Sequence, residues 1–232
     1  MNPKELDPYL LRKLEESSGF YVRSFSNRYC NWKRTKSIER SLSAELKRLR
    51  NSRSSVEILD IGCGDGWLIY KLKATLKVIF GSQFCLRFTG IDISSLDIDF
   101  ANKRKEYFGH KDCDFKVMDA KDPAFKDEQF DIIITSEVIE HMEDPGIFIK
   151  NIGRILKKGG LVILTTPNAG GGIFAKMARF LSIFSFGAIK RSRLRLESAA
   201  INKEEKELSR FSSSQGHTGA GLDHVSVFSV AQ

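Results

Sequence analysis

Two short stretches of this chain contain residues whose types and spacing could do chemistry. In the first, the alternate glycines Gly62, Gly64 and Gly66 follow the branched apolar run 56–61, which contains Asp60. Such a run predicts a strand buried on both faces, and an apolar run with helical spacing follows the glycines. A strand, a glycine turn and a helix in this order present backbone N–H groups at the carboxyl edge of a parallel sheet. Open α/β folds bind nucleotides at that edge.

The second stretch follows another apolar run, 129–136, and contains Glu137, Glu140 and His141. Carboxylates and imidazoles are the usual general bases when a hydroxyl group must lose its proton. Glu137 and His141 are four residues apart, so a helical turn would bring them close together. We therefore take Glu137 and His141 as the candidate catalytic residues.

The glycine spacing argues against a dinucleotide site. A dinucleotide fingerprint has its third glycine one residue later, where this chain has Trp67. The spacing Gly62-x-Gly64-x-Gly66 does not match that fingerprint, although its glycines still let the backbone approach a ligand closely, because glycine has no side chain.

Two further acids lie where the following strands are expected to end. Asp92 ends the run 86–94, at the position where an acid can bind both ribose hydroxyls of a nucleotide. Ser94 or Ser95 is expected to cap a helix that runs to about residue 108. Asp119 ends a short strand within 113–120, and its alternative role is a helix cap before Pro123.

These stretches together resemble the class I S-adenosylmethionine-dependent methyltransferases, and in particular the ubiquinone-biosynthesis O-methyltransferases. The resemblance is carried by LDIGCGDG, GIDIS, MDA, FDIIITSEVIEHMEDP and LKKGGLVILTTPN within 56–168. It implies an α/β fold, a Rossmann-like parallel sheet in the order 3-2-1-4-5 flanked by helices. It also implies S-adenosylmethionine as the cofactor, with Asp119 accepting from the adenine amino group and the Ala120 N–H meeting the ring. The full set of expected cofactor-binding residues is Asp60, Gly62, Cys63, Gly64, Gly66, Asp92, Ile93, Asp119, Ala120 and Ser136.

A second resemblance leaves a different chemistry open. In the small-RNA 2′-O-methyltransferases, two glutamates, a histidine and a later histidine hold a divalent metal against the ribose hydroxyls. Glu137, Glu140, His141 and His224 match that pattern. The alternative is that Glu140 and His141 cap a helix and hold the cofactor loop. No nucleic-acid module is recognisable, so the sequence does not favour nucleic acid as a partner.

The flanking segments suggest a helical cap and an insertion. Polar helices are expected at 4–16 and 36–50, joined by an aromatic link, so 1–52 is interpreted as an N-terminal helical cap. The methyltransferase domain is expected over 53–232, with 170–221 as a substrate lid or membrane-facing insertion. An apolar helix followed by basic residues within 170–196 is typical of peripheral contact with an anionic membrane.

The end of the domain is harder to assign from sequence. A helix over about 146–157 is expected to stop at Lys158-Gly159-Gly160, before a fifth strand at 161–166. Residues 224–229 resemble the family's lead-in to a helix, with Ser229 as its cap. The sequence pattern therefore does not show the family's last two strands, so we expect either a fragment or a bare apolar edge on strand five.

Composition limits the setting of the protein. The net charge of +8 favours an anionic partner, and the four cysteines form no C-x-x-C pair. The N-terminus lacks the apolar core of a signal peptide, so the sequence predicts a cytoplasmic protein. Peripheral contact with the membrane is the alternative location. We expect O-methylation of a small or lipid-linked acceptor. A non-catalytic cofactor-binding domain is the alternative, and the oligomeric state stays open.

Overall fold

The computed structural model describes residues 25–81, 84–166 and 224–229. Its elements in chain order are α1 (Phe25–Leu49), β1 (Ser55–Ile61), α2 (Trp67–Phe80), β2 (Cys85–Asp92), α3 (Ser95–Phe108), β3 (Cys113–Val117), β4 (Phe130–Ser136), a 3-10 turn (Ile139–His141), α4 (Pro145–Ile155), β5 (Leu156–Thr166) and β6 (His224–Ser229). The helices predicted at 4–16 and within 170–196 lie outside the described residues.

The strands form one sheet in the order β3-β2-β1-β4-β5-β6. The first five are parallel, which confirms the predicted order 3-2-1-4-5 and the Rossmann-like fold. Ile61 of β1 is paired with Ile91 of β2 and with Thr135 of β4, so these strands end at nearly the same level. The loops that follow them therefore meet at one edge of the sheet.

Apolar side chains alternate between the two faces of the central strands and form a core on each. On one face, Val56 and Ile58 pack in a cluster with residues of α1, α2 and α3. On the other face, Leu59 and Ile61 pack in a cluster with residues of α4. Burial on both faces explains why these strands appear in the sequence as continuous apolar runs.

Helix α1 begins earlier than the sequence suggested. It starts at Phe25, so the second part of the expected aromatic link is helical and does not precede the helix. The helix buries Ile38, Leu42, Leu46 and Leu49, whose spacing places them on one side. These residues belong to the same cluster as β1. Helix α1 therefore shares the core of the sheet, whereas the division into a cap and a domain stays a prediction.

Strand β5 also begins earlier than expected, at Leu156. The segment Lys158-Gly159-Gly160 lies inside this strand, beside a shift in its pairing with β4, and is not a helix stop. A side chain at Gly160 would come within 2.8 Å of the Asp131 carbonyl oxygen. Gly160 therefore permits a close backbone contact at an irregular strand, whereas Gly159 has a left-handed φ of 69° and open space around it.

Residues 224–229 form strand β6 and are not the expected lead-in to a helix, and the helix that Ser229 would cap lies outside the described residues. This strand runs antiparallel to β5, from the pair Thr166 and His224 to the pair Leu161 and Ser229. The expected bare edge on β5 is therefore covered, and at least one strand beyond the fifth is present. Its backbone N–H and C=O groups satisfy those that β5 would otherwise expose.

Candidate cofactor and active site

The glycine loop forms a tight turn directly after β1, and backbone hydrogen bonds to β2 hold it in place. The N–H groups of Gly62 and Cys63 both donate to the Ile91 carbonyl oxygen, over 2.8 and 3.0 Å. Gly62, Gly64 and Gly66 have φ values of 75°, 51° and 74°, in the left-handed region that favours glycine. The predicted turn between strand and helix is therefore present.

The three glycines differ in what surrounds them. A Cβ at Gly62 would lie 2.3 Å from Val138 Cγ2, and one at Gly66 would lie 2.8 Å from the Phe115 ring. A Cβ at Gly64 would meet nothing within 4 Å. Gly62 and Gly66 thus permit close packing, whereas Gly64 leaves open space above the loop that a side chain would fill. That open space fits a bound cofactor.

Asp92 joins the glycine loop to the next loop along the edge. Its Oδ2 accepts the Gly64 N–H and its Oδ1 accepts the Ser94 N–H, each over 2.9 Å. A carboxylate has about four acceptor positions, so the half-buried Asp92 can still accept two hydroxyl groups. This arrangement suits the ribose hydroxyls of a nucleoside. Ser94 also caps α3 by accepting from the Asp97 N–H, as predicted.

Asp60 lies beneath the loop with only 3% of its surface exposed. Burial, and secondarily the negative charge of Asp92, raises the pKa of Asp60 to about 8 from an ordinary value of 3.8. Asp60 is therefore largely protonated at neutral pH.

The thiol of Cys63 is directed into the core rather than to the open side of the loop. Cys63 is buried, and its Sγ would lie 2.8 Å from a Cβ placed at Gly90. Burial, with the nearby carboxylates, raises the pKa of this thiol and keeps it neutral. Any contact of Cys63 with a cofactor would come from its backbone.

Three other predicted residues lie at the ends of β2 and β3. Ile93 exposes 72% of its surface directly after Asp92, an unusual exposure for a large apolar side chain. The Met118 N–H donates to the Asp92 carbonyl oxygen, which brings the segment with Asp119 and Ala120 alongside β2. Asp119 is exposed and accepts the Lys121 N–H over 2.8 Å. The segment that contains Asp119 and Ala120 therefore lies beside Asp92, and Ile93 directly follows Asp92 in the chain.

Ser136 and Glu137 are connected to β5 through Thr165. The Thr165 hydroxyl donates to Glu137 Oε1 over 3.2 Å and lies 2.9 Å from the Ser136 hydroxyl. Because Thr165 has one hydroxyl proton, Ser136 must be the donor to Thr165. The Glu137 N–H donates to the Thr165 carbonyl oxygen, and Glu137 has a φ of 59°. Glu137 is thus fixed by both its backbone and its carboxylate.

Glu137 also forms an ion pair with α1. The Arg34 guanidinium lies 3.2 Å from Glu137 Oε2, and the two side chains are only 14% and 23% exposed. The sequence contained no signal for this contact, because Arg34 is one of many basic residues on a polar helix. Thr165 was likewise missed, although it lies in the quoted TTPN segment.

Glu140 and His141 do not join Glu137 in one helical turn. The 3-10 turn begins only at Ile139, after the left-handed residue Glu137. Glu140 accepts from the Thr166 hydroxyl over 3.3 Å, and His141 is exposed. Since Thr165 and Thr166 are consecutive in β5, their side chains point to opposite faces of the sheet. The two glutamates are therefore held on different sides of this edge.

Within residues 25–81 and 84–166, no group of three or more His, Cys, Asp or Glu side chains is placed to hold a metal ion. The predicted ligands Glu137, Glu140 and His141 thus do not form such a group. His224 starts β6 opposite Thr166 in backbone register, and its side chain is outside what the structure describes.

A buried arginine supports the loop and was also missed by sequence reasoning. Arg104 of α3 donates to the Asp65 carbonyl oxygen over 2.7 Å and lies 3.2 Å from Asp65 Oδ2. Asp65 in turn accepts the Trp67 N–H at the start of α2. This buried pair holds the glycine loop against α3.

The sheet order, the glycine loop and the strand-end acids define a Rossmann-like methyltransferase fold. The profile of the family described as methyltransferase domain matches residues 52–185, more than half of the chain. The chain belongs to this methyltransferase domain family.

Curated relatives of similar sequence are also named as methyltransferases. The chain is 34% identical over 127 residues to a ubiquinone biosynthesis O-methyltransferase of Bradyrhizobium sp. (strain ORS 278), covering 54% of this chain and 45% of the relative. It is 33% identical over 131 residues to the protein of that name from Nitrobacter winogradskyi, covering 54% and 46%. The chain thus spans about half the length of the curated relatives it matches.

Among solved structures, a SAM-dependent methyltransferase from Aquifex aeolicus is similar with a TM-score of 0.46 and 15% identity. That match covers 59% of this chain and 76% of the other. In the part of the chain that the structure describes, no helix is long and apolar enough to cross a membrane.

Proposed function

We propose that this protein binds S-adenosylmethionine and transfers its methyl group to a hydroxyl oxygen of a small or lipid-linked acceptor. The observation that carries this proposal is the carboxylate of Asp92, held by the N–H groups of Gly64 and Ser94 beside the open space above Gly64. This arrangement places a carboxylate that can accept hydrogen bonds from ribose hydroxyl groups next to a surface without side chains.

The residues around Asp92 fit the nucleoside part of the cofactor. Asp92 accepts the ribose hydroxyls, and the exposed side chain of Ile93 covers one face of the adenine. Asp119 and Ala120, brought alongside Asp92 by the bond from Met118, meet the polar edge of the ring. The apolar surface of Ile93 would then be buried, which favours binding.

The glycine loop fits the thioether part of the cofactor, because Gly64 lets the backbone approach without a side chain. When bound, S-adenosylmethionine supplies an electrophilic methyl group. The protein therefore has to align the acceptor and exclude water rather than activate the methyl group.

His141 is the better candidate for the base that receives the acceptor proton. Its side chain is exposed at the edge of the sheet, whereas Glu137 already accepts from Thr165 and pairs with Arg34. A carboxylate whose oxygens are already held by two donors is less available to the acceptor hydroxyl. In this proposal the acceptor oxygen would bond to the methyl carbon as the methyl–sulfur bond breaks, and S-adenosylhomocysteine would leave with the electron pair on sulfur. His141 would take the proton of the acceptor hydroxyl.

The names of the relatives favour an oxygen acceptor, since these proteins are called ubiquinone biosynthesis O-methyltransferases. The hydroxyl group could belong to a lipid-linked compound or to a small soluble one, and both fit this proposal. The segment 170–221 is proposed to contact this acceptor, and its basic residues are proposed to contact an anionic membrane surface.

The experiment that tests this proposal follows a labelled methyl group. The full chain is incubated with S-adenosylmethionine labelled on the methyl carbon and with a cell extract that contains small molecules, lipids and RNA, which are then separated. We expect label in the organic phase, and His141→Gln should reduce it strongly while leaving cofactor binding intact. Label found only in RNA would refute the proposed acceptor class, and no transfer with retained cofactor binding would support the non-catalytic alternative.

A further inference from the structure

The loop that links β3 to β4 is held in place by side chains of α4. This loop, residues 118–129, lies wholly in the described part of the chain and contains neither a helix nor a strand. Most connections in compact domains are shorter, with about 4–6 residues, and long ones are usually functional or disordered. The backbone carbonyl oxygens of such a loop need donors from elsewhere. Asn151 and Arg154 of α4 supply them.

Arg154 contacts four positions of the loop. Its Nη1 donates to the Phe125 carbonyl oxygen over 2.7 Å, and its Nη2 donates to the Pro123 carbonyl oxygen over 2.9 Å. Nη1 also donates to Asp127 Oδ1 over 2.9 Å, and the Arg154 carbonyl oxygen accepts the Glu128 N–H over 2.9 Å. A guanidinium has five N–H donors in one plane, so a single arginine can hold several acceptors at a fixed spacing.

The helix that carries these two side chains is itself firmly anchored. Phe148, Ile152 and Ile155 of α4 are buried in the core on that face of the sheet. Asp144 caps the start of the helix by accepting the Gly146 N–H over 2.8 Å. Donors on a rigid helix fix a loop more precisely than contacts within the loop would. The position of the loop therefore follows from the packing of α4 on the sheet.

Asn151 connects this anchored helix to Asp119. The Asn151 side-chain amide donates to the Lys121 carbonyl oxygen, and the Lys121 N–H donates to Asp119 Oδ1 over 2.8 Å. On the other side of Asp119, the Met118 N–H donates to the Asp92 carbonyl oxygen. Asp119 is exposed, so without these contacts its carboxylate would be free to change rotamer. The bond from Lys121 holds one carboxylate oxygen and leaves Oδ2 to accept from a ligand.

A carboxylate in a fixed orientation can distinguish two purines. Adenine carries an amino group, which donates hydrogen bonds, at the position where hypoxanthine carries an oxygen, which only accepts them. We propose that Asn151 and Arg154 are positioning residues that hold Asp119 in the orientation that selects adenine over hypoxanthine. They act through the loop and not by contact with the cofactor. This inference rests on the proposed function, in which Asp119 meets the polar edge of the ring.

The test measures how strongly the full chain prefers S-adenosylhomocysteine to S-inosylhomocysteine, in which hypoxanthine replaces adenine. Calorimetry gives both affinities. Asp119→Ala should reduce the preference by about tenfold or more, since it removes a hydrogen bond to a charged group. Asn151→Ala and Arg154→Ala should each reduce it by about threefold to tenfold, because Asp119 is still present but no longer held. Arg154→Lys should retain part of the preference, because it keeps the charge but lacks the planar fork.

A double-mutant cycle separates positioning from a merely structural role. In the Asp119→Ala background, Arg154→Ala should not lower the preference further, since the group through which it acts is gone. A structural defect would instead weaken both compounds equally and leave their ratio unchanged. Arg87→Ala is the matched control, because the side chain of Arg87 is 64% exposed and pairs with Glu57 on the neighbouring strand. It should change neither affinity.

The outcomes keep the two proposals apart. If Asn151→Ala and Arg154→Ala both keep the wild-type preference, the positioning role is wrong and the proposed function stands. A further loss of preference in the double variant would also overturn the positioning role, since Arg154 would then not act through Asp119. If the wild type binds both compounds equally well, the selection of adenine by Asp119 is wrong, and the positioning role fails with it. If the wild type binds neither compound, both proposals fail.

Discussion

The backbone N–H of Gly64 donates to Oδ2 of Asp92 over 2.9 Å, and this bond connects the loops after β1 and β2. Asp92 accepts a second N–H from Ser94 through its other oxygen. The orientation of the carboxylate is therefore set before any ligand arrives. A preoriented acceptor loses less side-chain entropy on binding than a mobile one.

Asp92→Asn should weaken binding of S-adenosylhomocysteine by about tenfold to a hundredfold, the range for hydrogen bonds to charged groups. An asparagine also places an NH₂ group against one of the two N–H donors, so the loop should be less stable. Calorimetry measures the affinity, and Asp99→Asn on α3, where Asp99 pairs with Lys103 at the surface, is the control. An unchanged affinity in folded Asp92→Asn would contradict its assignment.

The two glycines of the loop should respond differently to alanine. Gly62→Ala places a Cβ 2.3 Å from Val138 in a left-handed backbone, so it should lower the free energy of unfolding by about 2–4 kcal/mol. Gly64→Ala meets no atom and should cost about 1 kcal/mol, from its backbone alone. Urea unfolding checks both values. Gly64→Ala should nevertheless lower the affinity for the cofactor clearly, although its effect on stability is small. Wild-type affinity in that variant would contradict the proposed cofactor position.

Asp60 should make stability fall as the pH rises. Its pKa is raised to about 8 in the folded protein from an ordinary value of 3.8. Between these values the folded state keeps a proton that the unfolded state has lost, so unfolding becomes easier as the pH rises. The loss should level off above about pH 8, when Asp60 is ionised in both states.

Asp60→Asn removes this titration and should flatten the dependence of the unfolding free energy on pH between 4 and 8, in urea titrations at several pH values. Asp99→Asn is again the control, because Asp99 is exposed. If wild type and Asp60→Asn show the same slope, Asp60 is not held neutral by its surroundings.

The predicted membrane contact of 170–196 can be tested with vesicles. Each basic side chain near an anionic surface contributes about 1 kcal/mol, so replacing Arg191, Arg193 and Arg195 with glutamate should release the protein at low salt. Glutamates at the exposed positions Lys47, Arg50 and Lys126 make the matched control, with the same change in net charge. If both triple variants lose binding equally, only overall charge matters, and the segment does not dock.

The parallel strands were predictable because local sequence decides them. Runs such as 130–136 are buried on both faces, and their branched apolar residues stand out between polar turns. The turn between β1 and α2 was equally predictable, because the glycines Gly62, Gly64 and Gly66 alternate there. All three adopt left-handed backbone in the structure. The same holds for the Ser94 cap, which depends on residues only three positions apart.

Three parts of the fold were misjudged for identifiable reasons. Gly159-Gly160 resembles a helix stop in sequence, but it lies within an irregular strand, where the backbone of Asp131 and Lys157 lies too close to Gly160 for a side chain. Residues 224–229 alternate in the manner of a strand, whereas the resemblance to the family predicts a lead-in to a helix at this position. The early start of α1 at Phe25 was hidden by aromatic residues, which are only moderate helix formers.

The side-chain network at the edge of β4 could not be predicted from sequence. Arg34 and Glu137 are far apart in the chain, and nothing in the spacing of either residue indicates the other. The left-handed backbone of Glu137 also removes it from the expected helical turn with His141. Contacts of this kind depend on how α1 packs on the sheet, which local patterns do not encode.

The most direct test of the central claim is calorimetric titration of the wild-type chain with S-adenosylhomocysteine and, separately, with NAD. The Gly64–Asp92 arrangement and the short glycine spacing predict saturable binding of S-adenosylhomocysteine with one molecule per chain, and no binding of NAD. Binding of NAD in place of S-adenosylhomocysteine, or no binding of S-adenosylhomocysteine, would contradict the proposed cofactor site.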